Sequence, residues 1–235
     1  MPSVLLVAQP LIIAHRGASA EKPENTLAAF RRALALEVDG IELDVQVTRD
    51  GVPVVFHDAS LSRLTGVRGS VARKTWAELQ TLRVQGCEPI PRLVDVLRLT
   101  RGLLVVHLEL KAGPVAPIIQ TIHAARATDW VILASFHAHL VTEARTLAPA
   151  IPRMLISEGR SAPVTLVRHL AACGAVGLSV NHEAIRSAVW IKYFQQRGYS
   201  VWSWTVNELV VAKRLTGWGI DAILGDDPAL MRRAL

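Results

Sequence analysis

The chain has 235 residues, 51% of them hydrophobic, and a formal net charge of +6. That length holds one large domain or two small ones with a sizeable core, and no run of residues approaches the ~20 apolar positions of a membrane-spanning helix. The positive charge comes mostly from scattered arginines, with no dense basic run and no aromatic interleaving, which describes a solvated surface rather than a nucleic-acid interface and also suits a phosphate-bearing substrate.

The opening apolar stretch, residues 4–8, has no preceding positive charge and meets Gln9-Pro10 at once, which argues against a secretory signal. A β-type run at 11–14 leads into His15-Arg16-Gly17, and a helical pattern follows over 26–36. The next run, 41–47, alternates apolar and polar residues as a strand does, so Glu42 and Asp44 project from the same face. Two adjacent carboxylates repel unless a cation or a proton lies between them. A short continuation at 52–56 carries the chain to His57-Asp58. Residues 59–89 then break the rhythm with a loop-like stretch at 65–70 and a short helical segment at 76–82. After it, strand patterns at 103–110, 131–135, 153–156, 175–180, 199–204 and 221–224 alternate with helical ones at 93–99, 115–125, 138–147, 164–172, 187–196, 208–215 and 228–233.

About eight strands in strict alternation with eight helices imply parallel strands joined by right-handed crossovers. In a chain of 235 residues this predicts a closed (β/α)8 TIM-type barrel, with a doubly wound open sheet as the competing arrangement. The expected organisation is one barrel domain over 1–235, with an insertion after the second strand at about 59–89. That insertion belongs on the catalytic face of a barrel, either as a cap over the substrate or as an elaborated loop. Cys87 and Cys173 have no metal-type spacing and read as buried small apolar residues in a reducing, cytoplasmic setting.

Polar residues recur at the C-terminal ends of the predicted strands. They are His15 and Arg16; Glu42, Asp44 and His57; His107, Glu109 and Lys111 on one face of the third strand; Ser135; and Trp202 with Trp204 on one face of the seventh. Charges on core-forming strands are costly unless paired or metal-bound, so their convergence points to a site rather than to scattered ion pairs. Three carboxylates without a cysteine suit a hard divalent cation, Mg2+ or Ca2+, better than zinc. Arg16 and Lys111 are fit to bind phosphate oxygens, and His15 and His57 to act as general acid and base. His123, His137, His139, His169 and His182 read as surface or capping residues.

The chain resembles the glycerophosphodiester phosphodiesterases. The resemblance rests on His15-Arg16-Gly17, on 23–30 (Pro-Glu-Asn-Thr-Leu-Ala-Ala-Phe), on Gly40-Ile41-Glu42-Leu43-Asp44-Val45, on Thr48 with Asp50-Gly51, and on His57-Asp58. Further matches are Leu61 and Arg63, Ile90-Pro91, Leu108-Glu109-Leu110-Lys111, Ser135-Phe136, Trp204-Thr205-Val206-Asn207, and Asp226 with Pro228. It implies a TIM-type barrel with a small insertion that hydrolyses a small-molecule glycerophosphodiester to glycerol 3-phosphate and an alcohol. It implies that Glu42, Asp44 and Glu109 bind the divalent metal, that His15 and His57 are the acid/base pair, that Arg16 and Lys111 hold the phosphate, and that Phe136 and Trp204 line the substrate pocket. Glu24 and Asn25 are expected to shape the loop into the first helix, with Asn25 or Thr26 as its cap. Three positions depart from the family pattern: His107 stands for a usual Asn, Leu64 breaks a usual Arg-Thr-Thr run, and Gly225 stands for a usual Thr. Two other readings remain open, a lysophospholipase D acting on lysolipids at membrane surfaces and a catalytically silent phosphate-binding barrel. The sequence leaves the oligomeric state open.

Overall fold

The computed structural model describes residues 9–235, so the apolar opening at 4–8 lies outside the described residues. The chain runs through β1 (Leu11–Ala14), α1 (Leu27–Ala35), β2 (Gly40–Val47) and β3 (Pro53–Val55), then an insertion with α2 (Ser62–Thr65), α3 (Trp76–Leu79), β4 (Arg83–Val84) and β5 (Glu88–Pro89). It continues through α4 (Leu93–Thr100), β6 (Val105–Ala112), α5 (Ala116–Ala124), β7 (Val131–Ser135), α6 (Ala138–Leu147), β8 (Arg153–Ser157) and α7 (Pro163–Cys173). The last elements are β9 (Gly177–Asn181), α8 (Ala188–Gln195), β10 (Ser200–Trp204), α9 (Leu209–Gly217), β11 (Ala222–Gly225) and α10 (Pro228–Arg232).

Strands β1, β2 and β6 through β11 pair in parallel, and β1 joins both β2 and β11, so the sheet closes into the predicted barrel. The alternation in β2 sorts its side chains between two environments. Ile41, Leu43, Val45 and Val47 pack outward beneath the helices in the main core. Glu42 and Asp44 face the barrel axis. The lower interior is filled by a separate apolar cluster that includes Ile13, Ala134, Met154, Trp202 and Ala222, so the barrel is a packed plug with polar groups only above it. Helix starts follow local chemistry: Thr26 and Asp227 accept backbone N–H groups of Ala29 and Leu230, and α7 and α10 begin with proline.

Three expectations change. Residues 53–55 do not continue β2; they turn back and pair with it antiparallel, Val45 opposite Val55. The third barrel strand begins at Val105 and runs through Lys111, because Leu103 lies in the preceding turn with 74% exposure. Cys87 is exposed, while Cys173 is buried. The insertion, which the sequence left open as a cap or an elaborated loop, has its own small core, Leu61, Leu64, Val71, Leu79 and Val84 against Val54 and Phe56 of the β3 arm. That core explains Leu64, whose side chain is 4% exposed. Gly225 is explained by its neighbours: a Cβ there would collide with the Val206 carbonyl oxygen and press on Met231.

Candidate active site

The site forms where β1, β2 and β6 end. After β1 the chain turns through Arg16 at φ 57° and Gly17 at φ 83°, a left-handed pair that only glycine completes without strain. A Cβ on Gly17 would also sit 2.7 Å from the Ala29 Cβ. The turn points the Arg16 N–H at Glu42 Oε2, 3.0 Å away. Its guanidinium reaches Glu24 Oε1 at 2.8 Å and lies 3.4 Å from Asp44 Oδ2.

Glu42, Asp44 and Glu109 come together as expected. Each offers a carboxylate oxygen within 4.8 Å of the others, all three residues are buried, and they are the one such cluster found among the described residues. The parallel register makes this possible by setting Asp44 beside Glu109. Burial, then the negative charge of Asp44 and Glu109, pushes the Glu42 carboxyl well above its usual range. Burial and Asp44 push Glu109 up to about 7. Asp44 stays low against its burial because Arg16, Lys111 and His57 hold it ionised. Lys111 Nζ lies 2.8 Å from Glu109 and 3.4 Å from Asp44. Three buried carboxylates with two of them driven toward protonation form a donor set that a divalent cation fits, because the cation removes the repulsion that raises them.

His15 and His57 face this cluster, and each is held by a carboxylate. His15 Nδ1 lies 2.7 Å from Asp226 Oδ1, with Nε2 3.9 Å from Glu42. Asp226 in turn accepts from Ser19 Oγ and Asn207 Nδ2. Although burial raises it, bonds to His15, Asn207 and Ser19 bring its carboxyl down to about 2. His57 Nδ1 lies 2.7 Å from Asp58 Oδ1. Two bonds from Arg63 and the His57 contact hold Asp58 far below the usual carboxylate range. Arg63 also grips Glu24 through two bonds. Gln46 fixes the His57 loop by donating to the carbonyls of Phe56 and Asp58, both at 2.8 Å.

Sequence reasoning gave no role to Gln46, Asp58, Arg63, Asn207 or Asp226, although the last four stand in quoted motifs. Gln46, Asn207 and Asp226 find partners distant in the chain or across an antiparallel arm, and Arg63 reaches Glu24 as well as the nearby Asp58, so only the folded contacts reveal the network. Asn25 is not the helix cap. Thr26 is, and Asn25 donates to Asp44 Oδ2 at 2.7 Å. Ser135 spends its hydroxyl on the Leu110 carbonyl, outside the cavity.

These groups open onto a cavity of about 240 Å3 lined by His15, Arg16, Glu42, His57, His107, Glu109, Lys111, Phe136, Ile156, Glu158, Ser179, Trp204, Thr205 and Leu224. Phe136 and Trp204 meet edge to face, 5.5 Å between ring centres, as a wall opposite the charged groups. Trp202 lies below, buried against His107. Ile156, Glu158 and Ser179 had no signal in the sequence. No residue of 59–89 lines this cavity.

The family model for the glycerophosphoryl diester phosphodiesterase family matches residues 15–114 and 104–230. A glycerophosphodiester phosphodiesterase of Caldanaerobacter subterraneus subsp. tengcongensis is 32% identical over 93% of this chain and 94% of its own. One from Bacillus altitudinis is 31% identical over 92% and 94%. Among solved structures, a phosphodiesterase of Oleispira antarctica in complex with the product sn-glycerol-3-phosphate superposes with a TM-score of 0.90, at 27% identity over 96% of each chain.

Proposed function

The chain belongs to the glycerophosphoryl diester phosphodiesterase family, and we propose that it hydrolyses small, water-soluble glycerophosphodiesters to glycerol 3-phosphate and an alcohol with a divalent cation. One observation carries the reading: two carboxylate-held histidines, an arginine, a lysine and two members, Glu42 and Glu109, of a buried carboxylate triad border one small cavity. Glu42, Asp44 and Glu109 would hold Mg2+ or Ca2+, which when bound neutralises charge on the phosphate and activates it toward attack. Arg16 and Lys111 bind the remaining phosphate oxygens. As the bond from phosphorus to the alcohol oxygen breaks, the attacking water loses a proton and the alcohol gains one. His15 and His57 serve these two transfers. Each has Nδ1 tied to a carboxylate, which leaves Nε2 for the reacting groups. Phe136 and Trp204 pack against the carbon face of the glycerol.

A lysophospholipase D working at a membrane surface needs exposed apolar groups near the barrel mouth. Leu61, Leu64, Val71 and Leu79 are instead buried in the insertion's own core, and no helix among the described residues is long and apolar enough to cross a membrane. A cytoplasmic location is part of the proposal, supported by two free cysteines, and cell fractionation tests it. The central test is direct detection of glycerol 3-phosphate from glycerophosphocholine, with Mg2+ or Ca2+ and after exhaustive EDTA. Metal-dependent release is expected. Phosphate binding without turnover would replace the proposal with the silent barrel.

A further inference from the structure

His57 and Arg16 reach the site from different places in the chain, yet among the described residues each side chain is oriented by one hydrogen bond. The His57 ring is held through Nδ1 by Asp58 Oδ1 at 2.7 Å. The Arg16 guanidinium donates through Nη1 to Glu24 Oε1 at 2.8 Å, while its buried Nε, 3.4 Å from Asp44, makes no hydrogen bond. The two orienting carboxylates share a single partner, Arg63 of α2 in the insertion. Its Nε and Nη2 donate to Asp58 Oδ2 and Oδ1 at 2.6 and 2.9 Å. Its Nη1 and Nη2 donate to Glu24 Oε2 and Oε1 at 2.8 and 2.9 Å. One planar guanidinium therefore spans two carboxylates with four bonds, a geometry that a lysine ammonium cannot reproduce. The position of Arg63 is fixed in turn by its neighbours. Leu61 and Leu64 are buried in the insertion core, and the Leu64 carbonyl accepts the Gln85 N–H. The Arg63 side chain is itself 49% exposed, and ion pairs at such a side chain add little to stability. What the four bonds fix is direction.

We propose that Arg63 is a positioning residue for the reaction, one guanidinium that sets both the His57 ring, through Asp58, and the Arg16 side chain, through Glu24. The inference rests on the function proposed above and goes beyond it by giving the insertion a task. The insertion lends no residue to the lining of the catalytic cavity and acts on the site through this contact. Setting the two side chains together has a physical benefit. His57 exchanges a proton with a reacting oxygen while Arg16 holds other oxygens of the same phosphate, so an error in their relative placement costs rate even where each is well bonded. Without Arg63 the Asp58 carboxylate keeps only His57, and the Glu24 carboxylate keeps only Arg16. Both carboxylates are then free to turn toward water and to carry their partners with them.

The test is a set of double-mutant cycles on the hydrolysis of glycerophosphocholine and bis(p-nitrophenyl) phosphate with Mg2+ present, with the melting temperature of every variant measured alongside. Arg63→Ala should lower kcat/KM by about 10–10²-fold on both substrates, while its melting temperature falls by no more than about 3 °C. Arg63→Lys keeps the charge but cannot span both carboxylates, so it should recover only part of the loss. Millimolar guanidinium chloride should restore activity to Arg63→Ala, because the notch left by a half-exposed side chain is open to solvent, and urea, planar but uncharged, should restore none. The loss must also depend on the groups being positioned. In a His57→Ala or an Arg16→Ala background, either Arg63 substitution should cost less than it does in the wild type. The same factor in every background overturns the inference and leaves Arg63 a brace of the fold, and so does wild-type kcat/KM in Arg63→Ala. Coupled losses on bis(p-nitrophenyl) phosphate in a protein that releases no glycerol 3-phosphate from glycerophosphocholine would keep the positioning role and overturn the function proposed above.

Discussion

The two halves of the barrel solve different problems. The half built from β1, β2 and β6 is dense in charge, and almost every charged group is held by another: Asp58 by Arg63, Asp44 by Asn25, Glu109 by Lys111, and His15 by Asp226 reaching over from the end of β11. The half built from β7 through β11 presents Phe136, Ile156, Ser179, Trp204 and Leu224, mostly apolar and with polar atoms left unpaired. Preorganisation is concentrated where charge must be stabilised, since fixed dipoles and ions act there without rearrangement. The other half is left open to be completed by a ligand. The contrast predicts that substitutions at the paired charged groups change the rate on every phosphodiester, while substitutions among the groups of β7 through β11 change which diester is accepted.

The largest expected effect is at the carboxylate triad. Glu42→Ala should abolish measurable turnover on all substrates with the fold intact by circular dichroism. The milder Glu42→Gln should lose activity as well, yet raise the melting temperature of the metal-free protein by removing one of three repelling buried carboxylates. Its melting temperature should no longer rise with added Mg2+, whereas that of the wild type should. Full turnover in either variant removes Glu42 from the metal site.

Next in size are the histidines. His15→Ala and His57→Ala should each lose about 10²–10⁴ in kcat. A p-nitrophenyl leaving group needs little proton assistance, so one of the two variants should recover on bis(p-nitrophenyl) phosphate and thereby identify the acid. Equal losses on both substrates in both variants would undo the division of labour. Trp204→Ala should be smaller and selective, raising KM for glycerophosphocholine about tenfold and for bis(p-nitrophenyl) phosphate much less. A uniform effect would place Trp204 with the catalytic half.

The smallest effect is on stability. Burial, with the nearby positive charge of His15, pushes His107 down to about 3, against about 6.5 in an unfolded chain. Below pH 6.5 the unfolded chain takes up a proton that the folded one refuses, so stability falls as pH drops from 6.5 toward 3. His107→Asn removes this term. Urea unfolding at pH 7 and pH 5 should show the variant losing about 1–2 kcal/mol less than the wild type between the two pH values. An identical loss would mean that His107 is charged or water-bonded in the folded state.

The local pattern carried much of this molecule. The period-2 alternation of 41–47 placed Glu42 and Asp44 on one face, and the strand–helix rhythm implied eight βα units, because both depend on backbone geometry that neighbouring residues dictate. The joining of Glu109 to that pair, the reversal that carries His57 back to Asp44, and the Asp226 partner of His15 depend on barrel closure and register, which act between residues far apart in the chain. The same holds for Gly225, whose missing side chain makes room for the Val206 carbonyl, and for Ser179, an unremarkable residue until the barrel walls it into the cavity floor. The sequence by itself determined which chemical groups the chain carries and on which faces of its strands they lie. Only the tertiary structure decided which groups meet and which stay unpaired, because closing the barrel sets the distances between strands and removes the water that would otherwise satisfy them.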